Sequence, residues 1–416
     1  MQFKLLNYYK VLSKVATCLV GSFVPLIIYN TTGSLIYAVL YMMLNNVFRL
    51  LTGLVLRKQI QKRPEVFLIL RALMLGGFCV SLALIPQLFL IGSLLASLFG
   101  GIDASFQMVA EETLFNYASS KSMDSKKIAA TRVFEGLGYF AGLLIGGLIL
   151  DINKTVVYIM CIVLYIISIL PLFYLYIKNR KNSAFNKEYV SNMIEQVSKS
   201  DKKVSKIRYI VIAIMVCYFA IYMSYCISDS IYYVFNLATI VEGAISYSFA
   251  SVFIIIFRVS FVIGNVVVSY IDKKFDLLNV VRLSCVIISI AFVCMCFVRN
   301  VFVLYVAFAA FGLFYSFICC FVLQRFIQKS RIIGQSNNAF MVREVAGSTS
   351  LILSYAVLLL LIVLDISMFY FFLIAAAMLI ITSFVIPALE EKTRRLLVDF
   401  VEDNEITSNQ YLSDSE

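Results

Sequence analysis

The chain has 416 residues, of which 62% are hydrophobic and 14% charged, and its mean hydropathy is +0.92. A soluble domain is about half apolar and about a quarter charged, so the composition excludes an ordinary soluble fold and points to a membrane. The net charge of +11 does not signal a nucleic-acid partner, because the basic residues sit in short clusters between apolar runs rather than on an aromatic-interleaved basic face.

Lys4 through Leu19 could pass for a secretory leader, but the stretch has no small-residue cleavage site and its apolar run continues to Ile28, within a first segment of about 11–30. It reads as an uncleaved first membrane helix. Eleven further runs of about 20 residues follow, near 34–56, 66–85, 87–109, 128–150, 155–177, 208–233, 243–271, 277–298, 301–323, 339–363 and 366–388. The expected fold is all-α and polytopic, with about twelve membrane helices in two pseudo-symmetric six-helix bundles. The bundles would occupy 1–177 and 208–388, with a linker over 178–207 and a tail from 389 to 416. The linker carries a helical stripe of Tyr189, Met193, Ile194 and Val197. The tail turns from basic to acidic after Thr393 and is expected to hold little order.

The short connections alternate in charge. Arg57, Lys58, Lys62 and Arg63 follow segment 2, Lys121, Lys126 and Lys127 follow segment 4, Lys273 and Lys274 follow segment 8, and Arg325, Lys329 and Arg331 follow segment 10. The opposite connections hold only Lys154 and Arg299, which puts both termini on the cytoplasmic side of a plasma membrane. An offset of 211 residues pairs Gly53 with Gly264, Arg71 with Arg282, Gly101 with Gly312, Ser105 with Ser316, Arg132 with Arg343 and Gly136 with Gly347. Arginines inside apolar runs cost about 2.5–3.5 kcal/mol each at a helix centre, so their pairing at one offset marks a duplicated bundle. Duplicated bundles rocking about a shared site give alternating access.

Segment 4 places Asp103, Gln107 and Glu111 on one face at intervals of four. Segment 7 does the same with Tyr218, Tyr222, Tyr225 and Asp229, extended by Tyr232 and Tyr233, and segment 10 with Gly312, Tyr315, Ser316 and Cys319. Such faces avoid lipid and line a polar interior, where Asp103 and Asp229 are candidate proton or cation sites. The alternative is that Asp103 and Glu111 pair with nearby arginines and hold helices together. Arg132 and Glu135 lie three apart on segment 5 as an internal or gating pair, while Arg343 and Glu344 of segment 11 face different neighbours. Gly138, Gly142 and Gly146 recur every four residues, with Gly147 beside the last, a spacing that lets helices approach closely.

The ten cysteines lie in or beside apolar runs without zinc-ligand spacing, and there is no histidine, so neither a metal nor a cofactor is expected. No paired nucleophile and base is visible, which argues against an enzyme.

The run Gly138-Tyr-Phe-Ala-Gly142-Leu-Leu-Ile-Gly146-Gly147 resembles the segment-5 antiporter motif of the major facilitator superfamily, with Leu143 in place of the motif's proline. Thr32-Gly33-Ser34 leading into segment 2, then Gly53, the basic loop and Arg71, is similar to the macrolide-efflux-like branch of drug antiporters. Arg57-Lys58 stands where that branch carries Asp-Arg, and the second half keeps Asp272-Lys273-Lys274. The resemblance implies that segments 1, 4, 7 and 10 line a central cavity and that Asp272 meets the start of segment 5 near Arg132 as part of a gate with Glu135, Arg343 and Glu344. It implies proton-driven export of a small amphipathic solute by a monomer embedded in membrane lipid. The rivals are an uptake symporter or facilitator of the same fold, and a membrane protein that binds a partner without transporting.

Overall fold

The computed structural model describes residues 2–118, 125–181, 229–238, 240–241, 243–271, 277–298, 300–332 and 336–403. In lipid, every backbone N–H and C=O must find a partner inside the protein, and the described residues answer this with helices throughout. They are α1 (Gln2–Val20), a 3-10 turn (Gly21–Phe23), α2 (Val24–Thr32), α3 (Leu35–Lys62), α4 (Pro64–Leu84), α5 (Phe89–Ala118), α6 (Ser125–Ile152) and α7 (Lys154–Lys181). The second half supplies α8 (Asp229–Ala238), α9 (Tyr247–Ile271), α10 (Leu277–Phe297), α11 (Val301–Ile332), α12 (Ser336–Val363) and α13 (Met368–Asp403).

Among the described residues, nine helical stretches are long and apolar enough to cross a membrane, and two shorter apolar helices cover Gly347–Val363 and Phe369–Val385. These correspond to eleven of the twelve expected segments. Most of the remaining one, 208–233, lies outside the described residues, as do the linker stripe and the acidic end of the tail. Large apolar side chains point outward, with Ile152 83% and Val55 75% exposed. In water such a surface would aggregate, whereas in a bilayer it is the lipid contact.

Local chemistry sets the breaks. The expected first helix is interrupted, because Pro25 lacks an N–H and its ring opposes the carbonyl of Gly21, where the 3-10 turn begins. Gly33 ends α2 at φ +66°, its N–H donating to Tyr29 O at 2.7 Å, a left-handed cap that a side chain would strain. Asn153 and Asn300 accept the first free N–H groups of α7 and α11 at 2.9 Å each. The helix α6 runs unbroken through Leu143, consistent with the absence of the motif's proline. The tail departs from expectation. The helix α13 continues to Asp403, and Glu391 pairs with Arg394 and Arg395 on its surface. The Arg395 hydrogen bond, aided by the Arg394 charge, holds the Glu391 carboxyl below the usual carboxylate range.

In the first half α3 and α4 pack on α5, while α1 packs on α6 and α7. In the second half α9 and α10 pack on α11, with α13 against α10. The repeat is visible in touching atoms. A Cβ on Gly53 would meet Ser105 Oγ at 3.6 Å, and one on Gly264 would collide with Ser316 Oγ. Both pairs are related by the offset of 211, so the α3–α5 crossing recurs as the α9–α11 crossing. Between halves, α6 packs on α9 and α3 on α12, the swapped pairs that a two-fold relation demands.

Candidate transport site

Arg71 of α4 is fully buried and organises the interior of the first half. Its Nε donates to Asp103 Oδ1 at 2.8 Å and its Nη2 to Asp103 Oδ2 at 3.0 Å, a two-pronged pair. Nη2 also donates to Gln107 Oε1 at 3.1 Å, and Nη1 to Tyr9 Oη at 2.6 Å and Glu111 Oε1 at 3.3 Å. The i, i+4, i+8 stripe on α5 thus converges on one guanidinium. Tyr165 of α7 lies 3.3 Å from Tyr9 Oη, donates to Leu68 O at 3.1 Å, and sets its ring 5.1 Å from the guanidinium carbon. Taking these ions out of water costs several kcal/mol each, which only such dense pairing offsets.

A second ion pair lies one helix away. Lys10 Nζ of α1 donates to Glu135 Oε1 of α6 at 2.9 Å, both side chains being buried. Glu135 thus has a described partner other than the expected Arg132, whose side chain lies outside the description. Further along the same two helices, Lys14 Nζ sits 5.4 Å from the Tyr139 ring centre, and the Arg258 guanidinium of α9 sits 4.6 Å from that same ring.

The second half is built differently. At an offset of 211 from Asp103, Gln107 and Glu111 stand Phe314, Ile318 and Val322. Arg282, the counterpart of Arg71, is exposed and donates to Asn279 Oδ1 at 3.2 Å. Among the described residues of this half, the rings of Phe257, Phe261, Phe311 and Tyr315 gather in the interior, stacked or tilted at 4.9–6.4 Å.

The halves are clasped at the end of the bundle away from the N-terminus. Asp151, in the last turn of α6, accepts from the backbone N–H groups of Tyr247 at 2.8 Å and Ser248 at 2.9 Å, and from Ser246 Oγ at 3.0 Å. A carboxylate here satisfies the free donors of α9's first turn and faces the positive end of its dipole. Asn30 of α2 brackets the Ile245 backbone, donating to its carbonyl at 2.7 Å and accepting from its N–H at 3.0 Å. Tyr233 of α8 donates to Ser22 O at 2.9 Å.

The expected site residues fall into three groups. Asp103, Gln107 and Glu111 meet at Arg71, and Tyr315 joins the aromatic cluster. Ser316, expected on a cavity face, is fully buried at the α9–α11 crossing and donates to Leu313 O at 2.7 Å. Gly138, Gly142 and Gly146 lie against the α1 backbone, where a Cβ would meet the carbonyls of Val11 and Val15 at 2.6 Å each and collide with that of Leu19, while Gly147 faces Ser251 of α9. Tyr218, Tyr222, Tyr225 and Asp272 lie outside the described residues. Asp229, Arg132, Arg343 and Glu344 sit in helices, but their side chains are not described. Asp151 and Asn30 were not singled out from the sequence. The only available signal was an acid at the end of an apolar run, with the serine-flanked start of another run elsewhere in the chain.

Two helical bundles related by an internal repeat, joined along a seam and surrounded by lipid, with ionised groups held inside, define a polytopic membrane transporter. The profile of the Major Facilitator Superfamily matches residues 15–348, and the chain belongs to that superfamily. It is therefore a secondary transporter and not an enzyme. No curated protein sequence matches it. Among solved structures, it is similar to a bacterial homologue of the iron transporter ferroportin in an outward-facing state, at 14% identity and a TM-score of 0.65, covering 94% of this chain and 100% of that one. It is also similar to the nucleoside transporter NupG, at 15% identity and a TM-score of 0.64, covering 92% and 98%. A POT family transporter in complex with a thioalcohol-conjugated peptide gives 10% identity and a TM-score of 0.65, covering 94% and 96%. At these identities the likeness concerns the fold alone.

Proposed function

We propose that the protein exports a small amphipathic solute across the plasma membrane by alternating access, driven by protons, with both termini in the cytoplasm. One observation carries this reading: among the described residues, the positions of the Asp103–Gln107–Glu111 stripe are apolar in the second half, where Phe257, Phe261, Phe311 and Tyr315 cluster. The first half holds two carboxylates, Asp103 and Glu111, on one guanidinium, so a proton can join the group while Arg71 keeps a partner. The groups facing it are Tyr9, Lys10 and Lys14 of α1, Gln107 of α5, Glu135 of α6 and Tyr165 of α7. Protonation removes the charge penalty of one buried carboxylate and thereby biases a two-state equilibrium. Asp103 and Glu111 are the coupling residues, and the rings around Tyr315 are a wall for the solute's apolar body. Arg132, Glu135, Asp272, Arg343 and Glu344 serve the gate at the cytoplasmic end. A single chain supplies both halves, so a monomer suffices.

The test is flux of pyrene-based amphiphiles in proteoliposomes of known orientation under an imposed pH gradient. Gradient-driven movement toward the face away from the termini supports the reading, as does its loss in Asp103→Asn or Glu111→Gln with folding retained. Accumulation in the opposite sense would establish an uptake symporter. Equal proton-coupled flux in both variants would remove the network from coupling, and absence of flux for every probe would favour a binding protein.

A further inference from the structure

The two carboxylates on Arg71 are held unequally. Both oxygens of Asp103 are engaged, Oδ1 by Arg71 Nε at 2.8 Å and Oδ2 by Nη2 at 3.0 Å, along one edge of the planar guanidinium. Glu111 has a single contact, its Oε1 accepting from Nη1 at 3.3 Å, and Nη1 already donates to Tyr9 Oη at 2.6 Å. Glu111 Oε2 accepts no hydrogen bond among the described residues. Both side chains keep a little surface open, 10% for Asp103 and 8% for Glu111.

Hydrogen counting orders the hydroxyls beside them. Tyr165 donates its one O–H to Leu68 O at 3.1 Å, so in the 3.3 Å contact between the two tyrosines Tyr9 is the donor. The Tyr9 oxygen is thereby left to accept from Arg71. Nη1 keeps that short bond whatever the state of Glu111, and the chain of donors ends on a backbone carbonyl that passes no proton on. Depth separates the carboxylates as well. The membrane-crossing part of α5 is Phe89–Glu111, and that of the first helical stretch begins at Asn7, close to Tyr9. Glu111 therefore stands at the end of the span where the N-terminus lies. Asp103, two helical turns earlier, is about 12 Å deeper at about 1.5 Å per residue.

Tyr9 and Lys14 face Glu111 from α1, and Arg71 faces it from α4. Lys14 also feels Glu135 of α6, so it keeps a carboxylate within reach when Glu111 is neutral. On α3, Arg49 lies beside Gly101, deeper in the span than Glu111. Toward the Glu111 end of α3 and α12, Lys62 and Arg63 are exposed, while the side chains of Arg57, Lys58, Arg343 and Glu344 lie outside the described residues.

We infer that the two carboxylates have separate roles: Asp103 stays ionised as the fixed partner of Arg71, and Glu111 alone takes up and releases the coupling proton. A proton from the aqueous phase adds to Glu111 Oε2, and the long bond from Nη1 is given up. The guanidinium keeps both Asp103 oxygens, Gln107 and Tyr9. Neutralising Asp103 instead would remove the charge from two shorter bonds at once. The joint between α4 and α5 at Asp103 is therefore held in both states, and only the end of α5 near Glu111 is released. The inference rests on the proton-coupled reading above and narrows it to one residue.

Difference infrared spectroscopy on the purified full chain reads the proton directly. Spectra at the two pH values of the flux gradient are subtracted, leaving the C=O stretch of any carboxylic acid that forms between them. The extra charge-assisted bond at Asp103 sets the expected partition, at least about tenfold in favour of Glu111. Glu111→Gln should shrink the band by that factor. Glu111→Asp should move its frequency, and Asp103→Glu should leave it in place. These two swaps keep every charge, so the assignment stays testable even where Glu111→Gln does not fold. A band that survives Glu111→Gln, or that moves in Asp103→Glu and not in Glu111→Asp, would overturn the assignment and leave the proton-coupled reading standing. Displacement by both swaps would show a proton shared by the pair and overturn the separation of roles. Absence of any such band in the parent would sink the inference and the proton-coupled reading together.

Discussion

Removing the Asp151 carboxylate should loosen the far clasp without touching the interior. In Asp151→Ala, the N–H groups of Tyr247 and Ser248 and the Ser246 hydroxyl lose their acceptor. Loss of a helix N-cap costs about 1 kcal/mol, and loss of a charge facing the helix dipole at an exposed site costs about 0.3–1 kcal/mol more. Water reaches Asp151 and can replace part of the bonding, so the expected shift is about 1–2 kcal/mol, or roughly 5- to 30-fold in the ratio of clasped to unclasped molecules. Pulsed dipolar spectroscopy between spin labels at Thr155→Cys and Ala244→Cys, in a background freed of reactive cysteines, reads that ratio directly. Both sites are exposed at the clasped end. The variant should gain a longer-distance population of that size, and Asp151→Asn, which keeps one acceptor oxygen, should fall between it and the parent. An unchanged distance distribution, or a shift toward the shorter distance, would refute the assignment of Asp151 as a clasp.

Two further substitutions test the packing of the first half. Arg71→Gln leaves Asp103 and Glu111 buried without their cation and should cost about 3–5 kcal/mol in denaturant or thermal unfolding, while Arg71→Met combined with Asp103→Met and Glu111→Met should lose much less, because it removes all three charges. Gly142→Ala places a methyl 2.6 Å from Val15 O and 2.9 Å from Cys18 Cβ, forcing α1 and α6 apart at a cost of about 1–3 kcal/mol. Gly76→Ala, with nothing within 4 Å, should be neutral or slightly stabilising by the same measurement.

Hydropathy revealed the helix count because lipid imposes one length and one solution for the backbone. The 211-residue offset also carried structural content, since Gly53 with Ser105 and Gly264 with Ser316 turn out to touch. Periodicity placed Asp103, Gln107 and Glu111 on one face of a helix, but it could not say what that face meets. Arg71 lies on another helix, and which arginine completes the group depends on tertiary packing. Ser316 shows the converse error, a polar residue in cavity register that a glycine-mediated crossing buries. Asp151 was the least legible, because its partners include two backbone N–H groups, which leave no side-chain signature 96 and 97 residues away. The Gly21–Phe23 break could have been anticipated from Pro25, which apolar run length alone does not weigh.

The helix pair α1–α2 connects these features physically. On one side of its break it supplies Tyr9 to Arg71, Lys10 to Glu135 and Lys14 to the Tyr139 ring. From the break itself it supplies the Ser22 carbonyl to Tyr233, and beyond it Asn30 to Ile245. Three ionised or ring contacts therefore hold α1 to its own half, while two hydrogen-bonded contacts join the α1–α2 segment to the other half. The 3-10 turn and Pro25 lie at their junction, where α-helical hydrogen bonding is interrupted and bending costs least. Tyr9, bonded to Arg71, would pass a change of charge at the network to α1, and a rigid α1 would carry that displacement to Gly21. Whether the clasp then opens depends on how much of the motion the break absorbs. A carrier of this design needs some compliance there, since a continuous helix would tie the clasp to every fluctuation of the network, and a fully flexible joint would leave the clasp blind to it.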